Sequence, residues 1–348
     1  MRNRGKLCLF VSAVFVVAVV FGVNDGYAQV KLPQTMNLAT HPIGSLVNAM
    51  GSGLSTVISR NLKTVVKVMP TTGPTEWLPM VASGEVDMGV LNNYDAQMGR
   101  LGKGDYNAAT GGKGSPIFLL CAGTPANGGV LVADKSDIKK GADLKGKRVV
   151  AVYTGSAGIT AQGRAVLANL GLEPSDVKII SVPGVEAGVR ALIEGKADAN
   201  ASTNIGMAAT AELDAQSGAR YISLGPSPEA VKRMQQYYPC YLVQVKPGPG
   251  MVGVKEPVWM MAYDFFLVAA GKMSEDVAYQ IVKCLWEHDQ ELGTIHVRLK
   301  DWTKDRFVTP KATVPYHPGA VRFYKEMGVW TEEMAKHQQA LLAQKPGK

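Results

Sequence analysis

Ser83-Gly84-Glu85-Val86-Asp87 and Glu194-Gly195-Lys196-Ala197-Asp198 are one phrase written twice. In each, a helix runs out on a polar residue, a glycine takes the left-handed position that closes it, and an apolar residue opens a strand. Asp87 and Asp198, which end the phrases, read as structural acids. A chain that passes from helix to strand in this way alternates the two elements and lays its strands parallel.

The alternation continues outward from both phrases. Met36–Ala39 reads as a strand, and Leu46, Met50, Leu54, Val57 and Ile58 fall on one face of the helix after it. Val65–Met69, Val86–Leu91 and Ile117–Cys121 read as strands, with a short helix at Trp77–Ala82. After Gly123-Thr124-Pro125 the pattern restarts at Val130–Ala133. Arg148–Val152, Val177–Val182 and Ala197–Ala201 follow as strands, separated by helices at Thr160–Leu170 and Glu186–Glu194. Tyr221–Leu224, Tyr241–Val245 and Val258–Val268 are further strands, and the run Tyr263–Ala270 reads as buried. Lys246–Pro257, rich in glycine and proline, is a turn region. Ser274–Lys300 reads as one long amphipathic helix and Gln338–Lys348 as a fraying end.

Two α/β units, the second inserted between the first and a C-terminal return, give an α/β two-lobed binding-protein fold with parallel-sheet lobes. Lobe one is expected at 29–124 plus 247–348 and lobe two at 125–246. The crossings, Thr124–Asn127 and Val245–Gly250, are where a hinge would sit. A hinge and a rigid pairing of two domains both fit the pattern.

Residues 1–28 read as a signal peptide. Arg2, Arg4 and Lys6 precede the uncharged run Leu7–Val23, and Gly26-Tyr27-Ala28 offers a small-x-small cleavage site. Cleavage after Ala28 places the rest of the chain in the periplasm. A retained anchor is the alternative, since Leu7–Val23 is at the short end of a membrane span. Loss of three basic residues and Asp25 takes the formal charge from +8 to +6, a mild bias toward anionic ligands. Nucleic-acid binding has no basic, aromatic-interleaved block to support it. Cys121, Cys240 and Cys284 have no C-x-x-C spacing; they read as buried thiols, with one disulfide as the alternative.

Two places lack acid where acid is usual. From Gly26 to Thr75 there is no Asp or Glu, and the helix opened by Thr154-Gly155-Ser156-Ala157 meets none before Glu173. First turns normally favour carboxylates, so unfilled ones suit an anionic ligand. The candidate ligand-binding residues are therefore Thr40, His41, Gly44 and Ser45 at the first helix and Thr154, Gly155, Ser156 and Ala157 at the second. Thr72, Gly73, Asn92, Asn93, Thr203 and Asn204, at other strand ends, supply neutral hydrogen bonds. No phosphate loop, nucleophile elbow, dinucleotide fingerprint or zinc-protease motif occurs. No metal site, cofactor or catalytic residue is expected, and His41 is the one histidine in the proposed cleft. His288 and His296 read as residues of a single helix.

Several phrases, in order, resemble the TAXI family, the extracytoplasmic receptors of one class of TRAP transporter. They are Leu78–Gly89, Ala187–Ala199, Tyr238-Pro239, Val277–Trp286 and His317-Pro318-Gly319-Ala320 continuing through Phe323-Tyr324 to Gly328. The resemblance implies a two-lobed fold that closes on a small organic anion and delivers it to an integral membrane permease, without catalysis. The chain departs from the family at Ile43-Gly44-Ser45-Leu46-Val47 and at Gly73-Pro74-Thr75-Glu76-Trp77, where tyrosines and an asparagine are common. Two other expectations stand beside it. One is a binding module of an ABC importer or sensor kinase; the other is an exported enzyme using His41, or Asp87 with Asp95.

Overall fold

The computed structural model describes residues 31–346. The signal segment and its cleavage site lie outside the described residues.

The chain opens with β1 (Thr35–Thr40), α1 (Leu46–Asn61), β2 (Val65–Pro70), α2 (Pro74–Ser83) and β3 (Met88–Asn92). Then come α3 (Asn93–Leu101), α4 (Tyr106–Thr110) and the long β4 (Ile117–Ala133). A second run follows: β5 (Arg148–Tyr153), α5 (Ala157–Asn169), β6 (Lys178–Val182), α6 (Val185–Ile193) and β7 (Ala199–Asn204). It continues with α7 (Ala208–Ser217), β8 (Ala219–Ile222), α8 (Pro228–Gln235) and β9 (Tyr241–Val245). The chain returns in β10 (Val258–Ala270), then α9 (Glu275–Glu287), α10 (Asp289–Ile295), α11 (Pro318–Glu326) and α12 (Glu332–Ala343).

The strands form one sheet in the order β2-β1-β3-β10-β4-β7-β5-β6, with β8 on β4 and β9 on β10. Its two ends are parallel: β1 pairs with β2 and β3, and β5 with β6 and β7. The middle is antiparallel because β4 and β10 run against their neighbours. The architecture is the α/β two-lobed one expected, with the parallel part confined to the outer strands. β10 exchanges its partner at Tyr263–Asp264, pairing with β9 before and with β3 after.

The duplicated phrase extends through both runs. Gly84 and Gly195 are left-handed after α2 and α6, with φ of 90° and 66°, and Asp87 and Asp198 each accept the N–H of a neighbouring strand, Asn37 and Arg148, at 2.8 Å. The offset is 111 residues (198 less 87), and the same offset relates the caps Ser45 and Ser156, the caps Gly73 and Gly184, and the starts of β3 and β7. Two copies of one βαβαβ unit therefore flank the antiparallel middle.

Three expectations are corrected. Gly123-Thr124-Pro125 does not interrupt β4; Gly123 is needed because a Cβ there would lie 2.4 Å from the Trp302 ring, and Pro125 sits at an irregularity in the β4–β10 register, where a missing N–H is tolerated. The single helix over Ser274–Lys300 breaks at His288, whose φ of −120° leaves the helical region; His288 and His296 flank α10 rather than share a helix. Gln338–Lys348 does not fray from its start, because α12 runs to Ala343. Gln338 exchanges bonds of 2.8 and 2.9 Å with the Tyr316 backbone, and Leu341 is buried. Trp77 is a core residue, and Cys121, Cys240 and Cys284 are buried free thiols. Among the described residues no helix is long and apolar enough to cross a membrane.

Candidate functional site

The segment Thr40–Ser45 carries the chain from β1 into α1. Gly44, at φ 92°, makes the turn, and Ser45 caps the helix by accepting the Asn48 N–H at 3.1 Å. The first turn holds no acid, so the N–H groups of Leu46 and Val47 have no partner inside the helix. Both residues line a small cavity of about 10 Å³, room for about one water molecule. His41 and Ser45 also line it. His41 is 2% exposed, and its Nε2 has no hydrogen-bond partner. Burial lowers its pKa to about 4, so a neutral imidazole faces the cavity at neutral pH.

Asn92, Tyr263 and Phe265 complete this side. Ile159 of α5, Val185 of α6, Asn204 at the end of β7 and Met207 beyond it also line the cavity. The cavity thus lies at the carboxyl ends of the parallel strands, where open α/β sheets hold ligands. Tyr263 donates to Asn204 Oδ1 at 2.8 Å, closing one corner. None of the eleven lining residues is Asp, Glu, Lys or Arg.

The α5 terminus is filled differently. Asp95, at the start of α3 and fully buried, accepts from Ser156 Oγ and from Gly158 N at 2.6 Å. Tyr106 and Asn92 donate to the same carboxylate, each at 2.7 Å. Burial raises the Asp95 pKa and the four donors oppose it. The first unit therefore delivers its own anion to the helix of the second. Buried Glu186 turns back onto the amides that open α6, and burial raises its pKa.

Of the residues singled out in the sequence, His41, Ser45, Asn92 and Asn204 meet at the cavity. The others do not line it. Gly44 accepts the Ala209 N–H of α7 at 3.5 Å. Thr40 is buried behind His41, bonded to Asn48 and to its own loop. Thr72 donates its N–H and hydroxyl to Glu76 at the start of α2. Gly73 meets Gly155 across the two units, and Thr75 donates to the Gly155 carbonyl through its N–H at 3.2 Å and its hydroxyl at 2.6 Å. Thr154 is exposed and Ala157 half-buried. Asn93 binds Tyr238 and Thr313, and the Thr203 hydroxyl is buried without a partner. Asp87, bonded to Asn37, and Asp95, enclosed by four donors, do not form a pair.

Sequence reasoning missed Tyr263 and Arg298. A phenol inside the apolar run Tyr263–Ala270 was the available signal, since a buried tyrosine hydroxyl needs a partner. Arg298, 4% exposed, donates to the Pro125 carbonyl at 3.1 Å, and its Nε has no partner. No carboxylate pairs with it among the described residues. It passes over Gly206, close to Leu46 at the α1 terminus. No cluster of three or more His, Cys, Asp or Glu able to hold a metal occurs among the described residues.

The fold is that of periplasmic binding proteins. MatC from Rhodopseudomonas palustris, solved with bound malate, is 12% identical with a TM-score of 0.55, covering 89% of this chain and 100% of its own. PhnD1 from Prochlorococcus marinus, solved with methylphosphonate, is 12% identical with a TM-score of 0.50, covering 86% and 100%. The binding component of an ABC phosphonate transporter from Pseudomonas aeruginosa is 13% identical with a TM-score of 0.50, covering 88% and 98%. At such identities the likeness is one of fold. Residues 38–328 match the NMT1-like family, and the chain belongs to that family.

Proposed function

We propose that this chain is an extracytoplasmic solute receptor that binds a small organic anion, a carboxylate or amino acid, and delivers it to a membrane permease. The observation that carries the reading is the α1 terminus. Free amides, a cap hydroxyl and a neutral, buried histidine whose Nε2 has no partner border one small cavity, which opens to admit the ligand. Such a terminus favours negative charge. An anion in that space accepts from Ser45, Val47 N–H and His41, while Asn204 orients it.

The lobes are proposed to follow the two βαβαβ units, with the return to lobe one falling within β10, after Tyr263, rather than at 247. The first crossing lies at Thr124–Asn127 inside β4. The partner exchange of β10 supports a second crossing at Tyr263–Asp264, beyond Val245–Gly250. Closure traps the ligand, and the closed surface is what a permease reads. Export by a cleaved signal peptide and partnership with a TRAP-type permease, as in TAXI receptors, belong to this reading. Partnership with an ABC importer is the second reading, favoured by the likeness to the ABC phosphonate component.

A thermal-shift screen of the exported protein against organic and amino acids tests the proposal. A ligand that binds only the native state stabilises it by about 2.7 kcal/mol at a hundredfold excess over Kd, which moves the melting temperature by several degrees. A rise with one acid, confirmed by calorimetry without turnover, is the expected result. Turnover of a ligand that vanishes in His41→Ala would instead make the protein an enzyme. A folded protein that responds to no acid, and releases none on denaturation, would remove the anion reading.

A further inference from the structure

The 111-residue repeat makes the helix starts of α1 and α5 equivalent positions, and their surroundings differ in one respect. At α5, Ser156 Oγ and Gly158 N both donate to the Asp95 carboxylate. Their counterparts at α1 are Ser45 and Val47, with the cap bonds Ser45–Asn48 and Ser156–Ile159 matching as well. The counterpart of Asp95 is residue 206 (95 plus 111), which is Gly206. Gly206 lies where the repeat requires, beside Leu46 of α1, and in place of a side chain the stem of Arg298 covers it, Cγ lying 2.5 Å from where a Cβ would be. The α1 position thus has two of the four donors of the Asp95 site, the cap hydroxyl and the helix amide, and no protein carboxylate among the described residues. It adds two polar side chains, each over nine-tenths buried, with partnerless nitrogens: His41, which lines the cavity, and Arg298, whose stem covers Gly206.

Resting on the receptor reading above, we infer that the ligand carries a single anionic group, which takes at α1 the place that Asp95 takes at α5. Its far end is uncharged or a hydrogen-bond donor. Asp95 stands one side chain behind the cavity wall, since the Asn92 amide that lines the cavity donates to it at 2.7 Å. That bond uses one of the amide's two N–H donors. Glu186, next to the lining residue Val185, has a buried Oε2 without a partner. A dianion of the same size brings its second charge toward these carboxylates across a medium of low dielectric. Asp95 is thus a specificity-determining residue that rejects dianions without touching the ligand.

Isosteric pairs isolate the charge from the shape. Succinamate and succinate have the same heavy-atom skeleton, as do glutaramate and glutarate, and each pair differs by one carboxylate against one amide. Calorimetry on the exported protein at pH 7 is expected to give at least ~10-fold tighter binding of the monoanion in the pair that fits. In Asp95→Asn, which keeps the shape and removes the charge, the ratio is expected to fall below about threefold. A dianion bound as tightly as its monoamide by the wild type overturns the inference and leaves the anion receptor standing. A ratio unchanged in a folded Asp95→Asn overturns Asp95 as its source. Failure of all four probes, and of every other acid, on folded protein removes the receptor reading and this inference with it. The wild-type ratio needs no variant, so the test survives a substitution that does not fold.

Discussion

Gly155→Ala probes a place where the backbones of the two units touch. A Cβ at 155 would lie 2.2 Å from the Thr72 carbonyl oxygen and 2.8 Å from that of Pro183. Ordinary contact needs about an ångström more, so the 72–75 loop must retreat from the 154–156 turn. That retreat stretches the two bonds from Thr75 to the Gly155 carbonyl, now 3.2 and 2.6 Å. Two such bonds are worth about 1–3 kcal/mol, and forcing a methyl into packed backbone adds about 1–3. Allowing for overlap between these terms, the closed arrangement should lose about 2–4 kcal/mol, a ~30- to 1,000-fold loss of ligand affinity. Pro183 belongs to the same unit as Gly155, so part of the cost falls on folding, and melting of the ligand-free protein measures that part separately. Gly248→Ala, where a Cβ meets nothing within 4 Å, is the control. Affinity within threefold of wild type, together with a lowered melting temperature, would show that the clash resolves at Pro183 and that closure does not run through this contact.

Three further outcomes are expected. His41 takes a proton near pH 6.5 when unfolded but only near about 4 when native, so its contribution is complete above pH 6.5 and lost as pH falls through that window. The loss approaches about 3 kcal/mol at ~1.4 per pH unit, and His41→Gln should flatten that part of a urea-midpoint profile. Tyr263→Phe removes the 2.8 Å bond to Asn204 inside the cavity and should cost about 1–2 kcal/mol in denaturant unfolding, with a several-fold loss of affinity by calorimetry. Gln338→Ala strips the Tyr316 N–H and carbonyl of their partners. A drop of about 1–3 kcal/mol by thermal melting is expected if α12 is part of the folded body, and no change if it is a loose tail.

Most of the fold was legible because its signals are local. Glycine after a helix, apolar period and strand composition fix Gly84, Gly195 and the parallel strands at either end of the sheet. What escaped depends on distant partners. Gly123 reads as a turn until Trp302, 179 residues later (302 less 123), is found against it. The break at His288 is invisible to periodicity, because Leu292 and Leu299 beyond it remain buried. The tail reads as loose because only Gln338, His337 and Leu341 dock it, and a polar residue that caps another segment looks like a solvated one.

The site divides along the same line. The absence of acid at two helix starts was correctly seen at both, yet it means opposite things, because a window of sequence counts only the charges near it. The carboxylate that fills α5 comes from Asp95, 61 residues before Ser156 (156 less 95). Local composition could not distinguish a terminus left open for a ligand from one that the chain closes itself. The repeat could. Once the twin phrases fix the offset at 111, Ser45 pairs with Ser156 and Gly73 with Gly184, and Asp95 falls opposite Gly206. An acid in one copy and a glycine in the other, at the position that faces the partner unit's helix, is a difference of one carboxyl group between two repeat-related helix starts. A duplicated unit with both sites open would suit a dianion held symmetrically. With the α5 start filled from within, the symmetry of the repeat is broken within the chain itself, and on the proposed reading a ligand's acidic group has only the α1 end of the cavity to take.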